Sequence, residues 1–268
     1  MIDYMVSFFK SFFQNPSASG FYLAIAIGLA IAFGVVWLAG YRPPLFKKPW
    51  FWAVLVSSPF IALAAASFIQ IPLQIWTGQA LNHFWSQEIL ARWILLAGIP
   101  QILLSGVVQE GAKLIPVVVY WRRSDKDIDP KLGLAIGAVA GAAFGIFEAV
   151  WTHNLIFASG WTWAAVQTGG FMALAGFWER FFTIAAHTAF SALAGYGLAR
   201  GWGWQFYLIA SALHGLLNYS VVLLQAGLLT AVHVEIYVAV VAVLVTTWAL
   251  WLRWRKEAAT AESEISSM

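Results

Sequence analysis

Residues 131–158 read KLGLAIGAVAGAAFGIFEAVWTHNLIFA. From Leu132 to Phe147 no side chain carries a charge. As a helix rising ~1.5 Å per residue the stretch is about 42 Å long, more than the roughly 30 Å hydrocarbon core of a bilayer. Gly133, Gly137, Gly141 and Gly145 recur at every fourth position, a small-residue stripe that lets two membrane helices approach closely. Glu148 lies seven residues past Gly141, about 20° from its direction on the helix, so its carboxylate faces packed protein and not lipid. The stretch predicts a membrane helix that presents an acid to its neighbours.

The rest of the chain has the same character. Of its 268 residues 61% are hydrophobic and 10% charged, and the mean hydropathy is +0.76. Soluble domains carry roughly 25% charged residues, so these few ionisable side chains cannot coat a soluble fold. A cytosolic enzyme, a secreted domain and a disordered chain are excluded. Sixteen Trp and 20 Phe suit a lipid-facing surface with aromatic belts. The absence of Cys rules out disulfides, thiolate catalysis and Cys-ligated metal sites. The net charge of +3 suits basic loops at a membrane and points to no nucleic-acid partner.

Seven apolar stretches are long enough to span, approximately 20–40, 50–71, 92–121, 131–158, 174–200, 203–225 and 231–252. The fold class is therefore all-α, a polytopic transmembrane helix bundle inserted in the cell membrane. Residues 1–19, with Phe8, Phe9, Phe12 and Phe13, read as an interfacial segment. Residues 20–256 form the transmembrane domain, and 257–268 read as a disordered cytoplasmic tail. Arg42, Lys47, Lys48, Arg122, Arg123, Lys126, Lys131, Arg200, Arg253, Arg255 and Lys256 fall on one side of the expected membrane, and only Lys10, Arg92 and Arg180 on the other. The positive-inside rule then places the N-terminus outside and the C-terminus in the cytoplasm.

Ionisable side chains at membrane depth are costly and mark functional sites by default. They occur in four consecutive spans: Glu110 with Lys113, Glu148, Glu179 and Arg180 with His187, and His214 with Asn218. Counted from the cytoplasmic ends, Glu110, Glu148, His187 and His214 form a rough layer about 16–25 Å deep. Glu110 and Lys113 are three apart and His214 and Asn218 four apart, so each pair shares a helix face. Glu179–Arg180 reads as a local ion pair or interfacial anchor near the end of its span. His83 and His233 read as solvated loop residues, and His153 as interfacial. The glycine stripe reads as packing.

Two carboxylates, two imidazoles and an amide can activate water for hydrolysis and stabilise the oxyanion that forms. The set Glu110, Glu148, His187 and His214 could instead hold zinc or another divalent metal. A His-Glu-x-x-His helix, a Gly-x-Ser-x-Gly elbow and a pair of membrane aspartates are all missing from the sequence. The order Gln109-Glu110-Gly-Ala-Lys113, Phe144-Gly-Ile-Phe-Glu148, His187 and His214-Gly-Leu-Leu-Asn218 resembles the PrsW-type branch of the CAAX-protease and bacteriocin-processing superfamily, over residues 92–225. The segment from Glu179 to His187 is also similar to YhfC-type proteins.

The resemblance implies an intramembrane endopeptidase that cuts a membrane-embedded or membrane-proximal polypeptide with a glutamate-activated water. It assigns Glu110 to the water-activating motif with Lys113 as charge partner, and Glu148 to the position of a water-binding histidine. His187 then lines the site, with His214 and Asn218 on the oxyanion side and Gln109 and Phe144 in support. The family's first motif starts with two glutamates, whereas here the first is Gln109. A non-catalytic relative that binds a membrane protein or lipid partner is the alternative, and a bis-histidine haem protein on His187 and His214 is a further one. Substrate and oligomeric state are not legible in the sequence.

Overall fold

The computed structural model describes residues 1–13 and 20–255. The predicted tail at 257–268 lies outside the described residues. In chain order the helices are α1 (Ile2–Ser11), α2 (Gly20–Tyr41), α3 (Pro49–Ala65), α4 (Ile71–Phe84), α5 (Gln87–Arg92), α6 (Ile94–Ala97), α7 (Ile99–Arg123), α8 (Pro130–Ala158), α9 (Trp163–Gly169), α10 (Ala175–Ala199), α11 (Gly203–Gln225) and α12 (Ala231–Trp254). No strand occurs among the described residues. Seven helical stretches are long and apolar enough to cross a membrane, as the sequence predicts: Gly20–Tyr41, Pro49–Phe84, Ile94–Arg123, Pro130–Ala158, Trp163–Ala199, Gly203–Gln225 and Ala231–Trp254. The chain is a multi-pass membrane protein.

Local chemistry sets the ends of these helices. Asp129 caps α8 by accepting a hydrogen bond from the Leu132 amide at 2.9 Å, with Pro130 in the first turn where its missing N–H is harmless. At α12 Thr230 and His233 form a capping box. The second span runs past its expected end at residue 71. A π-helical turn, Ala66–Gln70, precedes Pro72 and lets the chain continue as α4 to Phe84. Proline in the first turn of α4 lacks only an N–H that the α-helical ladder there does not need.

Helices α8 and α10 are the centre of the bundle: the most apolar windows of their spans are 78% and 83% buried, against 22% for α2. The glycine stripe explains their proximity. A Cβ at Gly137 would lie 2.0 Å from the Ser191 carbonyl oxygen, and one at Gly141 would lie 2.0 Å from that of His187. Ile136, Val139, Phe190 and Leu193 fill the surrounding core. Hydrogen bonds between helices add specificity, from Ser58 Oγ to the Ala140 carbonyl at 2.9 Å and from Trp37 Nε1 to the Phe181 carbonyl at 2.8 Å. On the outside, Ile27, Ile31 and Val35 of α2 and Val240 and Leu244 of α12 remain exposed as lipid-facing side chains.

The ends of the first and seventh spans meet. Arg253 Nε donates to the Tyr41 carbonyl and Trp254 Nε1 to that of Gly40, both at 2.9 Å. At the other end of the bundle α1 is docked on protein. Phe12 stacks on Trp151 at 4.4 Å between ring centroids, and Phe9 packs against Phe68 at 5.7 Å. The N-terminal segment thus covers α8 and the π turn with the aromatic face that the sequence assigns to the membrane interface.

Candidate active site

Four helices bring their polar side chains to one place. Two close backbone contacts set the register. Gly141 of α8 against the His187 carbonyl brings α10 alongside, and a Cβ at Gly106 of α7 would lie 2.2 Å from the Ser211 carbonyl of α11. Glu110 is one turn beyond Gly106, and His214 is nearly one turn beyond Ser211. The carboxylate and the imidazole therefore meet: His214 Nδ1 lies 2.7 Å from Glu110 Oε1.

Glu110, Lys113, His187 and His214 are all buried. Lys113 Nζ lies 2.5 Å from Glu110 Oε1 and 3.0 Å from His187 Nδ1. Ser191 Oγ donates to Glu110 Oε2 at 3.2 Å. On the far side of His187, Nε2 lies 3.2 Å from Glu148 Oε2. The two imidazoles are neighbours at 5.1 Å between centroids, and the Phe144 ring meets His187 edge-on at 5.1 Å. A macrocycle cannot stand between His187 and His214, because rings this close leave no slot for it. The bis-histidine haem reading is corrected on that ground.

Donor and acceptor rules set the tautomers. An ammonium only donates and a carboxylate only accepts. His187 Nδ1 therefore accepts from Lys113, and its Nε2–H donates to Glu148. His214 Nδ1 donates to Glu110, which leaves the lone pair on His214 Nε2. His214 lines a cavity of about 310 Å³ together with Gln109, Glu148, His187 and Asn218. Glu110, with a side chain fully shielded, does not line that space itself, but its direct contact His214 does.

Gln109 points elsewhere than Glu110. Adjacent helical positions diverge by about 100°, and Gln109 Nε2 donates to Gln70 Oε1 at the end of the π turn, at 3.1 Å. Its own Oε1 is buried without a partner among the described residues. Asn218 donates to Ser105 Oγ at 3.1 Å and keeps its second amide hydrogen. His153 is fully buried among the helices: its Nδ1 lies 3.3 Å from the Ala26 carbonyl oxygen, between the rings of Phe33 and Phe177.

Arg180 is the residue that sequence reasoning left outside. It pairs with Glu179, as expected for a local ion pair, but its Nη1 also lies 2.9 Å from Glu148 Oε2. Arg180 precedes His187 by seven residues and so projects from the same face of α10, the spacing that would have placed it. Glu235 of α12 also lines the cavity, with Oε2 buried and unpartnered among the described residues. Sequence analysis did not single it out.

Glu110, His187 and His214 can each offer a ligand atom within 4.8 Å of the others. One carboxylate with two imidazoles is a donor set that zinc enzymes use, so by residue type the group could hold a metal. Some of the lone pairs are already engaged. Lys113 engages His187 Nδ1 and Glu110 Oε1, and Glu110 Oε1 also accepts from His214. Glu148, the fourth expected ligand, is held by Arg180 and His187. Three of the four residues could hold a metal, and as the hydrogen bonds stand Lys113 occupies one nitrogen of His187 and one oxygen of Glu110.

No curated protein and no solved structure matches the chain. One family model does, the PrsW family intramembrane metalloprotease, over residues 47–247. That range holds the second to sixth spans whole, most of the seventh, and every residue of the cavity wall. The chain belongs to the PrsW family of intramembrane proteases.

Proposed function

We propose that the protein is an endopeptidase of the cell membrane that hydrolyses a membrane-embedded or membrane-proximal polypeptide at the cavity wall formed by His214, Asn218 and Glu148, with a water activated by Glu110 acting through His214. The observation that carries this reading is the 2.7 Å contact between Glu110 Oε1 and His214 Nδ1, with the second imidazole nitrogen free to accept. It repeats the logic of a carboxylate that orients an imidazole and stabilises its charged form. The water oxygen attacks the scissile carbonyl carbon while its proton passes to His214 Nε2. The second amide hydrogen of Asn218 stabilises the oxyanion. The C–N bond then breaks, and the proton on His214 moves to the departing amine.

His187 and Glu148 complete the wall. Arg180 holds the Glu148 carboxylate, and His187 donates to it, so Glu148 is fixed for contact with the water or the substrate backbone. We also propose an external N-terminus, a cytoplasmic C-terminus and membership of the wider CAAX-protease superfamily with YhfC-type relatives. The Lys/Arg distribution supports the first two, and the order of motifs supports the last.

The test uses protein reconstituted in liposomes with a panel of single-span peptides in heavy-oxygen water. Wild type should produce fragments with a new C-terminal carboxylate that carries one heavy oxygen. His214→Ala should lower the rate by about 10²–10⁴-fold. Equal rates for wild type and His214→Ala would overturn the assignment.

A further inference from the structure

We infer that the ammonium of Lys113 takes the place of a metal ion in the Glu110–His187–His214 group, so that the centre of this protease is metal-free as built. The inference rests on the peptidase reading only in using the same centre. Three observations support it. Lys113 is fully buried, and its Nζ contacts both a carboxylate oxygen and an imidazole nitrogen that a metal could take, at 2.5 and 3.0 Å. Its third face is covered by the Phe144 ring, with Nζ 5.3 Å from the centroid, a cation–π contact that holds the ammonium in the group. The inner group is also already neutral, with one carboxylate against one ammonium and two uncharged imidazoles that each donate to a carboxylate.

A divalent ion added to that group would leave two positive charges uncompensated in a low-dielectric interior, which is costly. The nearby outer charges relieve only half of this, since two carboxylates facing one guanidinium leave a net charge of −1. Glu148 and Glu179 already share Arg180. What closes the group is therefore the lysine and not the donor types. Removal of the ammonium frees His187 Nδ1 and one Glu110 lone pair, and leaves a carboxylate with two imidazoles. The lysine also acts as a positioning residue, because its donation to Nδ1 obliges His187 to direct its N–H at Glu148.

Zinc is the probe. Detergent-purified full-length wild type, stripped with a chelator and then equilibrated with zinc, should retain none after gel filtration. Lys113→Met, close in length and without charge, should retain about one zinc per chain, and Lys113→Met/His214→Ala should lose it again. Cobalt in place of zinc should give Lys113→Met the visible absorption of a tetrahedral site and leave wild type colourless. Retention of a stoichiometric zinc by wild type, lost in His187→Ala and His214→Ala, would overturn the inference. So would a folded Lys113→Met that binds none. If Lys113→Met does not fold, nitrogen-15 NMR of histidine-labelled wild type decides. His187 protonated at Nε2 and His214 at Nδ1 support the inference, and any other pair of tautomers overturns it. None of these measurements depends on cleavage, so failure of the peptidase reading and failure of this inference are separable.

Discussion

At the residue scale the arrangement separates the two neighbours Gln109 and Glu110. Glu110 faces Lys113 and His214, whereas Gln109 is bonded to Gln70 across the π turn. Gln109→Ala should therefore change the cleavage rate far less than Glu110→Gln, and Gln109→Glu should not replace Glu110. The measurement is the initial rate of each variant on one peptide in one liposome preparation. A Gln109→Glu/Glu110→Gln double variant as active as wild type would reverse the roles of the two. Arg180 allows a second prediction. Its loss strands Glu148 and Glu179, so Arg180→Gln should destabilise the protein by about 2–4 kcal/mol. Adding Glu148→Gln should recover part of that loss, as thermal unfolding in detergent would reveal. The sequence displays Glu110, Lys113, Glu148, His187 and His214 because ionisable groups are rare at membrane depth. It hides Arg180 because a span boundary drawn from hydropathy makes that residue look peripheral, and its i,i+7 relation to His187 becomes meaningful only inside a helix.

At the scale of elements, the α8–α10 contact positions Glu148 against His187, and it depends on Gly141. An added Cβ would fall 2.0 Å from the His187 carbonyl oxygen. Since neither backbone can yield locally, the helices must separate. Gly141→Ala should cost about 1–3 kcal/mol as overpacking and reduce cleavage as His187 withdraws from Glu148. Gly28→Ala on α2, where nothing lies within 4 Å of the new atom, should leave stability within about 0.5 kcal/mol of wild type. A Gly141→Ala protein as stable as Gly28→Ala would contradict this account of the packing. The four-residue spacing of the glycines is plain in the sequence and identifies the face. Periodicity names no partner, however, so α10 as the neighbour emerges only from the fold. The π turn at Ala66–Gln70 was not legible either, because apolar residues permit it as readily as they permit a plain helix, and only the placement of Pro72 hints at it.

Across the whole molecule, the outer surface is apolar and the polar groups lie inside, as a bilayer requires. The contact of Arg253 and Trp254 with the end of α2, and of α1 with the opposite end of α8, puts α1 and the C-terminal end of α12 at opposite ends of the bundle. A reporter after Met268 should be cytoplasmic and one before Met1 external, and activity of both on one side would contradict the proposed insertion. Composition alone reveals the class of the molecule, since so few charges can be reconciled only with lipid. It does not reveal that helices distant in sequence converge, which follows from close backbone contacts at Gly106 and Gly141. The central claim is that α7 and α11 supply one working unit, Glu110 with His214. The most direct measurement compares cleavage by Glu110→Gln, His214→Ala and the double variant. If the pair acts as a unit, the losses are strongly non-additive, and the double variant is about as slow as the worse single one. Losses that simply multiply, or a Glu110→Gln protein as fast as wild type, would contradict it.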